Sequence, residues 1–248
     1  MRLNNKVAIV TGAASGFGEG IARRFAAEGA KVIVADITED AGRTIAEDIG
    51  DAAHFLRADV TSAVDWKSLV DGTIAQFGRL DIVVNNAGYT HLNQPMLDVD
   101  EAEFDRVYAV NVKSLYLSAQ AAVPVFRKQG GGQFLNIAST AGIRPRPGLV
   151  WYNSSKSAAI GITRSMAIEL AAEQIRVNAI NPVAGETPLL KRFMGQDTPE
   201  KRAAFKASIP MGRLSTAQDI AGAAVYLCSD DAALVTGVCM EVDGGRCI

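Results

Sequence analysis

Val7-Ala8-Ile9-Val10-Thr11-Gly12-Ala13-Ala14-Ser15-Gly16-Phe17-Gly18 is the stretch that decides the fold. Its apolar run, Val7 to Val10, is short and does not alternate with polar residues, as expected of a strand buried on both faces. Gly12, Gly16 and Gly18 then permit a sharp turn and a close backbone approach by a pyrophosphate. A helical pattern (Ile21, Ala22, Phe25, Ala26) follows and ends near Gly29. Strand, glycine-rich turn and helix N-terminus in that order aim backbone N–H groups and the positive end of a helix dipole at one point above the sheet. Ser15 and Phe17 belong to the same cradle. A tight βα loop without a ligand is the competing reading, and the position at the head of an alternating chain favours a nucleotide.

That alternation continues outward. Strand patterns occupy Lys31–Ala35, Ala53–Ala58, Leu80–Val84, Gln133–Ala138, Arg176–Ile180 and a last one near Val238–Met240. Helical patterns occupy about 38–49, 62–77, 100–129, 151–172 and 216–229, and a polar segment runs over 186–215. Strands separated by helices mean βαβ units, right-handed crossovers and a parallel sheet. No composition shift, linker or repeat marks a second domain, so residues 1–248 are expected to form one α/β domain.

With a net charge of −2, the chain has nothing to favour nucleic acid or an anionic membrane surface. No apolar run reaches the ~18 residues of a membrane span. The N-terminus runs straight into a strand pattern, without the apolar core of a signal peptide. Cys228, Cys239 and Cys247 are odd in number and lack metal-ligand spacing; Cys228 and Cys239 read as small core hydrophobes in a reducing compartment. A cytoplasmic setting is expected. With two histidines, and neither a Cys–His pattern nor a zinc-protease pattern, hydrolase and metal chemistry have no support, and no metal is expected.

Two stretches carry chemistry. Tyr152-Asn153-Ser154-Ser155-Lys156 puts a phenol and an ammonium on one helix face. A phenol titrates near pH ~10, so its use as a base near neutrality needs a pKa lowered by roughly 2–3 units, about 3–4 kcal/mol. A neighbouring ammonium acts in that direction, and a cationic oxidised nicotinamide acts likewise. An exposed i, i+4 pair is the bland competitor. Asp36, at the end of the second strand and followed by Ile37, lies about 20 residues past the glycine turn, where a carboxylate accepts hydrogen bonds from the adenosine ribose hydroxyls. A 2′-phosphate there meets a like charge, and no Lys or Arg in 13–17 or directly after Asp36 neutralises it. NAD is therefore expected ahead of NADP. Asp36 as a simple helix cap is the alternative.

Thr11-Gly-x-x-x-Gly-x-Gly18, Asp59-Val60, Asn85-Asn86-Ala87-Gly88, Asn111, Ser139, Tyr152-x-x-x-Lys156 and Asn181-Pro182 stand in the order and spacing of the short-chain dehydrogenase/reductase family, which the whole chain resembles. The resemblance implies a doubly wound parallel sheet, the three-layer Rossmann fold, and hydride transfer between NAD(P) and an alcohol or carbonyl carbon. It implies that Asp59 and Val60 hold the adenine, and that Asn86, Ala87 and Gly88 line the cleft, Asn86 also tying strands together. Ser139 is implied to orient the substrate oxygen, Tyr152 to transfer the proton, and Lys156 to hold the nicotinamide ribose and lower the Tyr152 pKa. Asn111 is implied to anchor a water that links Lys156 to solvent. Pro182, Val183 and Thr187 are implied to cover the nicotinamide. The chain departs from the family at Val183, where Gly is usual, with Gly185 as a source of flexibility two residues on.

Substrate walls are expected from Tyr89–Met96, Thr140–Trp151 and 186–210, above the strand ends. Arg144 and Arg146 are candidates to meet a carboxylate or phosphate, or are surface-loop residues. Trp151 is a pocket wall or a packing residue. His91 reads as a solvated loop histidine near the mouth, and His54 as structural. The expected function is an NAD-linked dehydrogenase of a secondary alcohol, or reductase of the ketone. The rivals are a 3-oxoacyl-[acyl-carrier-protein] reductase, a sugar or polyol dehydrogenase, and a non-catalytic nucleotide sensor. The helices at 100–129 and 151–172 carry more small and apolar positions than one core face needs, or merely pack on the sheet; the family resemblance implies that they pair between subunits in a homotetramer or homodimer.

Overall fold

Strand β1 (Val7–Thr11) is buried at every position, as its unbroken apolar run requires. In the computed structural model, which describes residues 1–248, it is an interior strand, third in a seven-stranded sheet. The other strands are β2 (Lys31–Asp36), β3 (Ala53–Arg57), β4 (Ile82–Asn85), β5 (Gly132–Ile137), β6 (Ile175–Pro182) and β7 (Cys239–Val242). Their order is β3-β2-β1-β4-β5-β6-β7, and every neighbouring pair is parallel. This is the doubly wound α/β fold. The chain leaves β1 toward β3 and returns on the other side to β4, so a crevice opens above the C-terminal ends of β1 and β4.

Helices cover both faces because both faces are apolar. On one face α1 (Gly16–Ala27), α2 (Glu39–Ile49) and α9 (Ala217–Cys228) bury Ile21, Phe25, Ile45, Ile220 and Val225 against Ala8, Val10, Val32 and Val84. On the other, α3 (Ala63–Phe77), α5 (Ser114–Gln129) and α6 (Val150–Leu170) bury Trp66, Leu69, Leu117, Phe126 and Leu170 against Ile9, Ile33, Val83 and Val177. No helix is long and apolar enough to cross a membrane. Cys228 is buried and Cys239 half-buried, and all three cysteines are free.

Two expected elements are built differently. The helix over 100–129 is interrupted: α4 (Glu101–Tyr108) passes through a π-helical turn, Ala109–Lys113, before α5. The wide turn rotates Asn111 inward, where its side chain is only 3 % exposed. The polar segment 186–215 contains α7 (Leu190–Met194) and α8 (Pro199–Ala207). Thr198 caps α8 by accepting from Lys201 N–H, and Val183, Leu190, Met194, Ile209 and Leu214 give the segment a small core of its own.

A buried polar ladder joins the sheet to its two longest helices. Asn85 Nδ2 donates to Ser118 Oγ (3.1 Å) on α5 and to Asn136 Oδ1 (2.9 Å) on β5. Asn136 Nδ2 in turn donates to Thr163 Oγ1 (2.9 Å) on α6. Deleting the middle rung strands partners on both sides. Asn136→Ala is expected to lower stability by about 2–4 kcal/mol, read as a shift of the urea midpoint at unchanged slope.

Candidate functional site

A cleft of about 540 Å³ runs along the C-terminal edge of the sheet. At one end lies the glycine turn. Gly12 (φ +63°) and Gly16 (φ +59°) are left-handed, and a Cβ on Gly12 would sit 2.8 Å from the Cα of Ala87. Ser15 precedes α1 without a side-chain cap bond, so the first-turn N–H groups of α1 remain open to a ligand. Gly12, Ser15, Gly16 and Phe17 all line the cleft. Gly18 does not, contrary to its expected part in the cradle. It is buried beneath the turn, where a Cβ would lie 2.2 Å from the Gly12 carbonyl oxygen, and it supports the cradle from below.

Asp36 closes this end. Its Oδ2 accepts from Ala14 N–H (3.0 Å) and its Oδ1 from Thr38 N–H (2.9 Å), which fixes the carboxylate on the rim beside Ile37 with a lone pair free on each oxygen. It thus ties the turn together as well as facing the cleft. Asp59 uses only Oδ1 within the chain, accepting from Thr61 N–H (2.9 Å) and Thr61 Oγ1 (2.8 Å). Val60, buried next to it, is a lining residue. Asn86 Nδ2 donates to the carbonyls of Thr11 (2.8 Å) and Gly12 (3.1 Å), joining the end of β4 to the turn after β1 as expected. These open N–H groups, the flattened glycine surface and the cleft-facing carboxylate fit an adenine dinucleotide.

At the other end stand Ser139, Tyr152 and Lys156, all lining the cleft. Tyr152 and Lys156 are 6 % and 5 % exposed, which removes the reading of a surface i, i+4 pair. Lys156 Nζ donates to the Ile137 carbonyl (2.8 Å) and lies 5.8 Å from the centre of the Tyr152 ring. The ring meets Phe193 edge-on at 5.0 Å and packs with Ala141 and Leu149. Burial pushes Tyr152 up to about 12, and its hydrogen bond with Ser139 only partly opposes this. Burial also pulls Lys156 down to about 8. The direction at Tyr152 is opposite to that expected from its ammonium neighbour, because desolvation of a phenolate outweighs a cation that is itself desolvated.

Asn111 is held by protein alone. Its Oδ1 accepts from Tyr89 N–H (2.9 Å), while Nδ2 donates to the Tyr89 carbonyl (2.8 Å) and Ser155 Oγ (2.9 Å). Both amide hydrogens are therefore engaged, so a water there has only acceptor sites to use. Gly88 sits against both functional groups, since a Cβ on it would lie 3.6 Å from Lys156 Nζ and 3.7 Å from Asn111 Oδ1.

Pro182, Val183 and Thr187 line the cleft as expected. The Val183 carbonyl accepts from Ser215 Oγ (3.1 Å). Gly185 does not supply a left-handed backbone; its missing side chain admits the Phe17 ring, whose Cζ lies 2.2 Å from where a Cβ would be. Arg144 and Trp151 are corrections. Arg144 is exposed outside the cleft and donates to the Arg246 carbonyl (2.6 Å). Trp151 also lies outside, edge-on to Phe104 at 5.3 Å with Nε1 donating to the Met96 carbonyl (3.3 Å). His91 is a third: it is fully buried, because Arg192 from α7 folds over its loop and donates to the Thr90 carbonyl (2.7 Å). His54 lies in β3, but its side chain is exposed. Leu149, Phe193 and Phe205 line the cleft from within the expected wall segments 140–151 and 186–210, although the sequence did not single them out individually. Arg146 does line the cleft.

A family model described as enoyl-(acyl carrier protein) reductase matches residues 12–246. Among relatives, 4-formylbenzenesulfonate dehydrogenase of Comamonas testosteroni is 52 % identical, with 99 % of each chain covered. A crystal structure of a 3-ketoacyl-(acyl-carrier-protein) reductase from Brucella melitensis complexed with NADH is similar at TM-score 0.95 and 47 % identity, covering 99 % of this chain and 100 % of that one. So is a 7α-hydroxysteroid dehydrogenase complexed with NADH and 7-oxo glycochenodeoxycholic acid, at TM-score 0.92 and 40 % identity, covering 98 % and 95 %.

The buried pair makes stability depend on pH in two senses. Lys156 falls to about 8 in the fold, so between there and the ordinary lysine value near ~10.4 the unfolded chain holds more protons and stability rises with pH. Tyr152 rises to about 12, so above ~10 the unfolded chain loses its phenolic proton first and stability falls. Relative to Lys156→Met, the wild-type protein is expected to gain on the order of 3 kcal/mol between pH ~7 and pH ~10, measured by urea unfolding at each pH.

Proposed function

The chain belongs to the short-chain dehydrogenase/reductase family, and from that premise we propose that it is an NAD-linked dehydrogenase of a secondary alcohol, or reductase of the matching ketone. One observation carries the reading: a buried Tyr152–Lys156 pair faces Ser139 in the same cleft as a glycine cradle closed by Asp36.

When bound, the nicotinamide supplies the hydride acceptor or donor. The chain's own groups do the rest. Gly12, Ser15, Gly16 and Phe17 hold the pyrophosphate through backbone N–H groups, and Asp36 accepts from the ribose hydroxyls while repelling a 2′-phosphate. Asp59 and Val60 hold the adenine, with Ile37 and Asn86, Ala87 and Gly88 along the wall. Ser139 Oγ orients the substrate oxygen and shares its developing charge. Tyr152 Oη takes the proton in oxidation and returns it in reduction. Lys156 Nζ holds the nicotinamide ribose and favours the phenolate, and a cationic nicotinamide beside the ring acts in the same direction. Asn111 positions Lys156 through Ser155. Pro182, Val183 and Thr187 close over the nicotinamide and exclude water.

A second reading, 3-oxoacyl-[acyl-carrier-protein] reductase, draws on the likeness to the Brucella melitensis protein, whose structure holds NADH. The names of the relatives span a sulfonate-bearing aromatic aldehyde and a steroid, both built on rings, which suits a chamber walled by Leu149, Phe193 and Phe205. Assembly as a homotetramer or homodimer through α5 and α6, in the cytoplasm, completes the proposal. Tyr116 and Ile168 support the assembly, being 59 % and 85 % exposed on those helices.

Purified protein is expected to turn over with NAD, and less with NADP, on some member of a panel of secondary alcohols, polyols, hydroxy acids and 3-oxoacyl thioesters. Tyr152→Phe is expected to lower kcat by about 10²–10⁴-fold while retaining NADH binding. Wild-type protein that binds NADH but turns over nothing in the panel would speak for a non-catalytic sensor.

A further inference from the structure

Arg146 is a cation without a partner, set in the wall of the substrate chamber. It lies on the loop between β5 and α6 and lines the cleft with Leu149, Tyr152, Phe193 and Phe205. Its guanidinium rests on the Phe205 ring, 4.4 Å from the centroid, and only one hydrogen bond is made by it, from Nη2 to Ser208 Oγ (3.1 Å). Its position is fixed from the catalytic helix, since Asn153, next to Tyr152, donates from Nδ2 to the Arg146 carbonyl (2.9 Å).

Charge around it has one sign. No carboxylate forms an ion pair with Arg144, Arg146 or Arg246, although thirteen ion pairs occur elsewhere in the chain. Arg246 is itself buried, with Nε and Nη1 lacking any hydrogen-bond partner. Burial together with the Arg246 and Arg144 charges pulls Arg146 down to about 10. The acids that line the cleft, Asp36 and Asp59, follow β2 and β3 at the adenosine end. Arg146 is half-buried, and a cation partly withdrawn from water for stability alone is normally matched by an acid. An unmatched guanidinium fork, stacked on an aromatic ring and opening into a cleft, is built to receive an oxyanion in bidentate fashion. Apolar side chains share the wall with it: Ala141, Leu149, Phe193 and Phe205.

We infer that the substrate of this cleft carries an oxyanion of the carboxylate or sulfonate class on an aromatic or alicyclic body, and that Arg146 binds it while Ser139 and Tyr152 hold the alcohol or carbonyl oxygen. This rests on the dehydrogenase reading above and names the substrate class for it. The anion replaces the missing acid; a neutral alcohol leaves the guanidinium unmatched.

The test compares methyl phenyl carbinol with its para-carboxylate and para-sulfonate derivatives, each oxidised with NAD. The wild-type protein is expected to favour the anionic alcohols by about 10–100-fold in kcat/KM, with a KM for them that rises with salt. Arg146→Gln is expected to bring the anionic-to-neutral ratio close to unity, and Arg146→Lys to restore part of it. A wild-type ratio near unity, or a ratio unaltered in Arg146→Gln, overturns the inference and leaves the dehydrogenase reading standing. If no alcohol turns over, the dehydrogenase reading is what fails. Benzoate and benzenesulfonate binding to the NADH complex then decides the anion site by calorimetry. Binding that is lost in Arg146→Gln supports it, and no binding overturns it.

Discussion

Desolvation of one ammonium group organises this molecule. Lys156 is buried, and its only hydrogen bond in the chain runs from Nζ to the carbonyl of Ile137, the last residue of β5. A lysine is tolerated there because the sheet end offers that acceptor and because its pKa has fallen toward neutrality, reducing the cost of holding a full charge out of water. The surrounding structure keeps this geometry. Gly142 lets the turn that carries Ser139 press directly on α6: a Cβ there would lie 2.8 Å from the Lys156 carbonyl carbon, and Ser157 Oγ donates to the Gly142 carbonyl (2.8 Å). Ser139, Tyr152 and Lys156 are thereby locked together, though they come from two elements.

The same tightness links the two ends of the cleft. Thr11, at the end of β1, accepts through Oγ1 from the N–H groups of Asn86 (3.0 Å) and Ala87 (3.1 Å). One residue further, Gly88 abuts Lys156 and Asn111. The glycine turn and Lys156 are thus joined through three residues of loop after β4, Asn86 to Gly88. The reversal of strand order at β1 and β4 is what brings them side by side, and it follows from the order in which apolar runs and helices alternate in the chain.

Much of this was legible in the sequence because it depends on local pattern. Short apolar runs gave strands within two residues of their observed ends, and the spacing of glycines, Asp36 and the Tyr–Lys pair placed each residue at a strand end or on one helix face. What stayed hidden depends on tertiary burial. The π-helical turn at Asn111 keeps helical periodicity on either side, so the inserted residue leaves no gap in the pattern. His91 is buried because α7 covers its loop, and α7 lies in a segment too short and polar to reveal a helix. Arg144 and Arg146 are two residues apart in one loop, yet one faces solvent and the other the cleft; nothing in Arg-Pro-Arg-Pro distinguishes them. The upward shift of Tyr152 escaped for the same reason, since spacing along a helix gives the neighbour but not the loss of water.

The central claim is that Tyr152 is held protonated by burial and becomes a usable base only beside the cationic nicotinamide. Phenolate absorbance of the wild-type protein minus that of Tyr152→Phe, followed against pH with and without NAD⁺, tests it most directly. The account predicts a midpoint near the burial-raised value of about 12 without NAD⁺, and one lower by at least ~2 units with it. Equal midpoints in the two titrations would contradict it.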